Sequence, residues 1–472
     1  MIVTHELNQQ LDQFIQANEE SLIRETIQLV AIPSLKAPAT EKYPFGPACA
    51  QALDHALALA DSYGFPTENQ DYYYGSCLLK GSEGKKELAL VCHLDIVPAT
   101  EDNWKRPPFE GYVENGYIVG RGSTDNKGPT IAALYVLRFL KEQGITLKND
   151  LRLIFGCDEE SGSADMVYYA EHAPRLPAFA LVPDGPFPIC YAEKGRCECT
   201  ASIDLGGKTL LRFSAGDVAN TTPGRATADL AGITLEAAKA ALPADKLKLE
   251  PMEGFLRVTA TGLSKHTSTP EGAIDAAHAL AAALAASGLL DAPAQAAMAG
   301  LAAFSSDYYG QGLGIAFEDD ILGKLTHSCS VVRTEGTRLV VSCDIRYPVL
   351  ALWETLRDNL RSTLGKAGYS LDAFSNNAPN YMPTDTPEVQ QLCAIANEQM
   401  GTSLPPATMG GGTYARKLPR AVAYGPSRPD LVKPFPPGHG WAHQVDEGVR
   451  IANLTDQIRV YVPALMYLDE IV

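Results

Sequence analysis

The stretch LALVCHLDIVPA, residues 88–99, is an apolar run that breaks on a histidine and an aspartate two positions apart. Leu88 to Cys92 reads as a short buried strand, closed by His93, Asp95 and Pro98. In extended backbone, residues i and i+2 point the same way, so His93 and Asp95 share a side. An imidazole that ligates a metal hands its other N–H to a carboxylate or carbonyl. One member of the pair can therefore ligate while the other orients it. A strand end capped by a hydrogen-bonded His–Asp pair is the simpler alternative.

The surrounding sequence predicts more buried strands of the same kind. Helical stripes at residues 10–30, 51–63 and 130–143 alternate with strand-like runs at 76–80, 88–92, 112–120, 151–156 and 179–184. Pro33 and Gly64 stop the first two helices; Pro129 and Gly144 bracket the third. The pattern predicts an α/β fold with a central, mostly parallel sheet flanked by helices. Beyond about residue 190 the texture changes. CECTASIDLGG, GFLRVTATGLS and RLVVSCDIRYPV alternate apolar and polar residues, as strands exposed on one face do. Ala-rich helices fall at 235–242 and 271–286. Near 383 the α/β texture returns, with helices at 388–400 and 453–468. The order predicts one domain from residues 1–190 and 380–472, with an α+β domain, 191–379, inserted in it.

Composition narrows the function. The chain has 472 residues, 46% of them hydrophobic and 20% charged, with a net charge of −17. Such an acidic chain lacks the basic patches that nucleic-acid backbones require. No apolar run reaches the ~20 residues of a membrane span. The first residues, MIVTHELNQQLDQFIQANEES, lack the apolar core of a signal peptide, so a cytoplasmic location is expected. The ten cysteines sit mostly among apolar residues, as free thiols of a reducing compartment do. Cys197 and Cys199 alternate as on one face of a strand and lack Cys-x-x-Cys spacing.

Three further motifs carry charge to strand ends. GRGSTDNKGPT, residues 120–130, places Asp125 in a Gly-rich turn before a helix, where Asp also serves as an N-cap. LIFGCDEESGS, residues 153–163, ends a strand on Asp158, Glu159 and Glu160. Adjacent like charges are unfavourable unless a cation offsets them or water solvates them. FALVPDGPF, residues 179–187, ends a strand on Asp184. Three strands thus terminate in imidazole or carboxylate at their carboxyl ends, where open α/β sheets bind ligands. The acids outnumber those one tetrahedral zinc uses. The set predicts two metal ions sharing ligands, ~3.5–4 Å apart. GHGWAHQVDE, residues 438–447, offers His439 and His443 as a sixth ligand.

Taken together, these motifs resemble the co-catalytic zinc metallopeptidases, the family of carboxypeptidase G, succinyl-diaminopimelate desuccinylase, aminoacylase and carnosinase. Within it, DNKGPTIAAL, DEES, YAEKG and GGGTYAR are most similar to the bacterial dipeptidase V type. The resemblance implies that His93 and Asp184 hold one metal, Glu160 and His443 the other, and that Asp125 bridges them. His443 is preferred to His439 because Gln444 follows it. Asp95 would orient His93, and Glu159 would be the general base, a choice that spacing alone does not make. A cis peptide is implied at Asp125–Asn126. The metals would be Zn²⁺, with Mn²⁺ or Co²⁺ as alternatives.

The inserted domain would be a lid. His266, in a loop before a helix expected to start near Thr269–Pro270, would reach the tetrahedral intermediate. Asn220 and Arg346 would hold the substrate. Backbone N–H groups of residues 410–413, among them Gly411, Gly412 and Thr413, would receive a free C-terminal carboxylate together with Arg416. His278 reads as a packing residue. Relatives of the dipeptidase type carry Asp where this chain has Asn126, which removes one expected contact to a substrate ammonium. The implied activity is hydrolysis of dipeptides by a monomer, with deacylation of N-acyl amino acids as the nearest alternative and a non-catalytic binding module as a more distant one.

Overall fold

The computed structural model describes residues 4–100, 102–243 and 246–472. The chain divides into two compact units. One comprises the chain up to Tyr191, Asn380–Thr408 and Thr413–Val472; the other comprises Ala192–Pro379 and Met409–Gly412.

The first unit is built on a mixed sheet. Its strands run in the order Thr67–Gln70, Tyr74–Leu79, Asp150–Gly156, Glu87–His93, Phe179–Val182 and Ala421–Ala423, followed by the strand that begins at Cys190. The four central strands, Asp150–Gly156 through Ala421–Ala423, are parallel to one another. The strands outside them are antiparallel. A mostly parallel sheet therefore describes the centre, and the site grows from that centre.

Burial on both faces explains why the central strands read as unbroken apolar runs. Every residue of Glu87–His93 is buried. Leu88, Leu90 and Cys92 join the core under the helices. Ala89 and Val91 join a smaller cluster on the other face, with Tyr169 and Tyr414. Helix Gly128–Glu142 packs against His5–Val30 and Ile451–Ile471, and is buried on nearly every side. Pro129 lies in its first turn, and Gly144, at φ 68°, follows its end.

Two local expectations need correcting. The run 112–120 is not one strand but a hairpin, Tyr112–Glu114 and Tyr117–Val119. Asn115 and Gly116 turn it at φ 50° and 79°, the left-handed pair that a two-residue hairpin requires. The helix expected from Thr269–Pro270 starts only at Ala276. Asp275 caps it by accepting the N–H groups of Ala277 and His278 at 2.8 and 3.1 Å, and Gly272 at φ 78° keeps the preceding segment in a turn.

The second unit carries an eight-stranded sheet whose neighbouring strands are all antiparallel, from Leu247–Met252 at one edge to Ser370–Asn377 at the other. Cys197 and Cys199 are buried between half-buried neighbours, so the alternation read from the sequence is present there. His278, within helix Ala276–Ala286, donates from Nδ1 to Ala302 O at 3.0 Å. All ten cysteines are free thiols, and Cys393 alone is not buried.

Candidate metal centre

Three adjacent parallel strands deliver the site. Glu87–His93 ends on His93, with Asp95 two residues further. Asp150–Gly156 runs into Asp158, Glu159 and Glu160. Phe179–Val182 runs into Asp184. Because the strands are neighbours in register, their carboxyl ends lie side by side. Asp125 arrives from the turn before helix Gly128–Glu142, and the Asp125–Asn126 peptide is cis. His443 arrives from the C-terminal loop at φ 65°.

These side chains converge in two groups. His93, Glu159 and Asp184 offer ligand atoms that all lie within 4.8 Å of one another, and so do Asp125, Glu160 and His443. Asp125 faces both groups. Its Oδ1 is 2.8 Å from His93 Nε2, and its Oδ2 is 3.1 Å from His443 Nε2. Asp184 Oδ2 lies 3.8 Å from His93 Nε2, and Glu160 Oε1 lies 3.1 Å from His443 Nε2. His439 sits elsewhere, its Nδ1 2.8 Å from Asp446 Oδ2.

The donor chemistry fits divalent cations. His93 is buried, and its Nδ1 donates to the backbone carbonyl of Asp95 at 3.0 Å, which leaves Nε2 as the lone-pair nitrogen. Nε2 is buried and lies 2.8 Å from Asp125 Oδ1. An imidazole nitrogen and a carboxylate oxygen set this close suit a cation that both can bind.

Electrostatics point the same way. Burial pushes the Glu159 carboxyl up to about 8 and the Glu160 carboxyl up to about 7, with Asp125 among the charges that reinforce both. Asp184 is held well above the ordinary carboxylate range by burial and then by Asp125. Burial alone would lower the two imidazoles. Asp125 and Asp95 override it at His93, which is raised, and Asp125 and Glu160 lift His443 to about 11. Carboxylates crowded in this way hold protons until a cation replaces them.

Several residues that build the centre carried no signal in the sequence. Glu447 is fully buried. Its Oε1 accepts the N–H groups of Thr124 and Asp125 at 3.0 and 3.1 Å, and its Oε2 accepts Arg121 at 2.6 Å. It thereby ties the loop of His443 to the turn of Asp125. Asp95 does more than face His93: its two oxygens accept the N–H groups of Glu159 and Glu160 at 3.1 and 3.0 Å. Asp158, the first acid of the run, pairs with Lys36 at 2.5 Å and caps Ala164, so it belongs to neither group. Asn126 is fully buried and donates to Pro183 O at 2.7 Å, beside Asp184. An aspartate there could not donate, so Asn126 serves the scaffold.

The remaining candidates fall in both units. Thr413 and Arg416 belong to the first, where the Thr413 hydroxyl accepts the Ala415 N–H at 3.1 Å and caps the turn Tyr414–Lys417. Asn220, His266, Arg346, Gly411 and Gly412 belong to the second. There, Asn220 O accepts the Thr267 N–H at 2.9 Å, which brings Asn220 beside His266. His266 Nδ1 accepts the Ser268 N–H at 3.1 Å, so its Nε2 carries the proton. Gly410 packs against Ser268 so closely that a Cβ on it would stand 2.9 Å from Ser268 Cβ. Arg346 is buried and makes a two-toothed contact with Asp344, at 3.0 and 2.9 Å.

A family model described as peptidase family M20/M25/M40 matches residues 89–467. The chain belongs to that family. It is a hydrolase, and the matched span contains every residue of the two ligand groups. YtjP of Bacillus subtilis strain 168, provisionally named a dipeptidase, is 32% identical over 466 residues, covering 95% of this chain and 97% of its own. Among solved structures, human carnosine dipeptidase 1 covers 99% of this chain and 100% of its own at a TM-score of 0.60 and 14% identity. The dipeptidase Dug1p of Saccharomyces cerevisiae covers 99% of both chains at a TM-score of 0.62 and 15% identity. At those identities the likeness establishes the M20 fold. Among the described residues, no helix of this M20 peptidase is long and apolar enough to cross a membrane.

Proposed function

We propose that the chain is a two-metal dipeptidase that hydrolyses the peptide bond of dipeptides bearing a free C-terminal carboxylate. The observation that carries this reading is the convergence of two ligand groups, His93, Glu159 and Asp184 in one and Asp125, Glu160 and His443 in the other, with Asp125 close to both histidines. The provisional dipeptidase name of YtjP supports it. In this reading His93 and Asp184 would hold one ion, Glu160 and His443 the other, and Asp125 would serve both. Two divalent ions, Zn²⁺ first and Mn²⁺ or Co²⁺ as alternatives, supply an activated water and a polarised carbonyl.

The residues of the chain do the rest. Glu159 takes the proton from the attacking water and passes it to the leaving nitrogen. Its buried setting, which raises its carboxyl to about 8 before any cation binds, suits a group that must carry a proton at neutral pH. Asp95 holds the backbone of Glu159, so the base has a fixed origin. His266, protonated on Nε2, donates to the developing oxyanion. Asn220 and Arg346 hold the substrate. The N–H groups of Gly411, Gly412 and Thr413, with Arg416, receive its carboxylate. The substrates are small peptides, and the enzyme acts as a cytoplasmic monomer.

The test compares one dipeptide with its N-acetylated and C-amidated forms, on protein stripped of metal and then reloaded with Zn²⁺ or Mn²⁺. The reading expects the free dipeptide to be turned over far faster than either blocked form, with the activity restored by metal. Preference for the N-acetylated form would make the enzyme a deacylase, and no turnover with any loaded form would reject the reading.

A further inference from the structure

Four consecutive backbone N–H groups, at residues 157–160, each end on a carboxylate. Those of Glu159 and Glu160 go to Asp95. Those of Cys157 and Asp158 go to Asp165 Oδ2, at 2.6 and 2.9 Å. Asp165 is fully buried, and its Oδ1 takes the N–H of Met166 at 2.7 Å. Its last partner is the hydroxyl of Tyr414, which donates to Oδ2 and also lies 3.4 Å from the Asp158 N–H.

Tyr414 is fully buried too, and its ring stands edge-on to that of His93, with centroids 6.1 Å apart. The end of strand Asp150–Gly156 is shaped to admit this pair. A Cβ on Gly156 would overlap Tyr414 Oη and Asp165 Oδ2. Tyr414 directly follows Thr413 and opens the turn Tyr414–Lys417, which contains Arg416. One hydroxyl therefore joins the segment assigned to the substrate carboxylate to the turn that carries the base.

We propose that Tyr414 and Asp165 are positioning residues that couple occupation of the segment 413–416 by a substrate carboxylate to the placement of Glu159. Neither residue touches the reacting atoms. Asp165 fixes the two amides before Glu159, and Tyr414 fixes Asp165. A carboxylate drawn to the Thr413 N–H and Arg416 orders the start of the turn and, through the Tyr414 hydroxyl, the acidic turn behind it. Filling the core does not require this hydroxyl. Tyr169, in the same apolar cluster and equally buried, keeps a hydroxyl with no hydrogen-bond partner. The inference rests on the dipeptidase reading.

The test measures kcat and KM of Tyr414→Phe, Asp165→Asn and the control Tyr169→Phe on a dipeptide and on its C-terminal amide, with metal content and melting temperature alongside. Tyr414→Phe is expected to lower kcat for the dipeptide about 10- to 100-fold, the cost of a loosened supporting contact. KM stays within about twofold, and metal content is retained. The amide, which cannot engage the segment, loses much less, so the preference for the dipeptide in kcat narrows by a similar factor. Asp165→Asn follows the same direction, and Tyr169→Phe behaves as wild type. Wild-type kcat in Tyr414→Phe would overturn the proposal. So would an equal loss on both substrates, which marks a purely structural role. A wild-type enzyme that cleaves the dipeptide while these variants leave its preference unchanged would refute the coupling and leave the dipeptidase reading standing.

Discussion

Asp95 accepts the backbone N–H of Glu159 at 3.1 Å. The aspartate two residues after the proposed ligand His93 thus also fixes the starting point of the proposed base. Its own backbone carbonyl meanwhile takes the Nδ1 proton of His93. One residue sets both the tautomer of His93 and the backbone position of Glu159.

Glu159→Gln keeps the shape of the turn and its backbone contacts to Asp95 but cannot accept a proton. Turnover of a dipeptide is expected to fall by about 10²- to 10⁴-fold, the range of general-base contributions, while two metal ions per chain remain bound. Steady-state kinetics with elemental analysis checks this. Wild-type turnover would remove Glu159 from the role.

Glu447→Ala removes the acceptor of the Thr124 and Asp125 amides and strands the buried Arg121 guanidinium. Loss of one partner from a buried ion pair costs about 3–5 kcal/mol. A lower melting temperature and weaker metal retention are expected together. A variant with unchanged stability and metal affinity would show that this contact does not support the centre.

His266→Ala removes the Nε2–H donor of the second unit. Because that contact is assigned to the transition state, kcat should fall more than KM rises. A change confined to KM would place His266 in ground-state binding instead.

Metal binding should release protons. Glu159, Glu160, Asp184, His93 and His443 all have raised proton affinities before a cation binds. A raised value means that the free site still holds protons near neutrality, and each ligand atom must shed its proton before it binds. Apparent affinity for Zn²⁺ should therefore rise with pH and fall as pH drops through about 7, the value for the ligand Glu160. Calorimetry in buffers of different ionisation enthalpy reads the released protons directly. Binding without proton release would contradict the electrostatics described here.

The strand ends were legible because both faces of a parallel strand are covered. Leu88 to Cys92 then reads as apolar without interruption, and the first polar residue after it marks the end. Asp125 was legible from the glycines and the proline around it. Glu447, Asp165 and Tyr414 were not. Each is one polar residue in a stretch with no periodic signal, and each has a partner far away in the chain, 323 residues between Glu447 and Thr124 and 249 between Asp165 and Tyr414. Such contacts exist only once the fold is closed. The helix start at Ala276 was misplaced because Pro270 also fits a first helical turn, and the Asp275 cap prevails only with its amides in place. The hairpin at Asn115–Gly116 had a short-range signal, the Asn-Gly pair, hidden inside one apolar run.

The most direct test is a crystal grown with excess zinc and measured at the zinc absorption edge. The account predicts two anomalous peaks per chain, one bounded by His93 and Asp184, the other by Glu160 and His443, with Asp125 touching both. A single peak, or zinc bound away from Asp125, would contradict it.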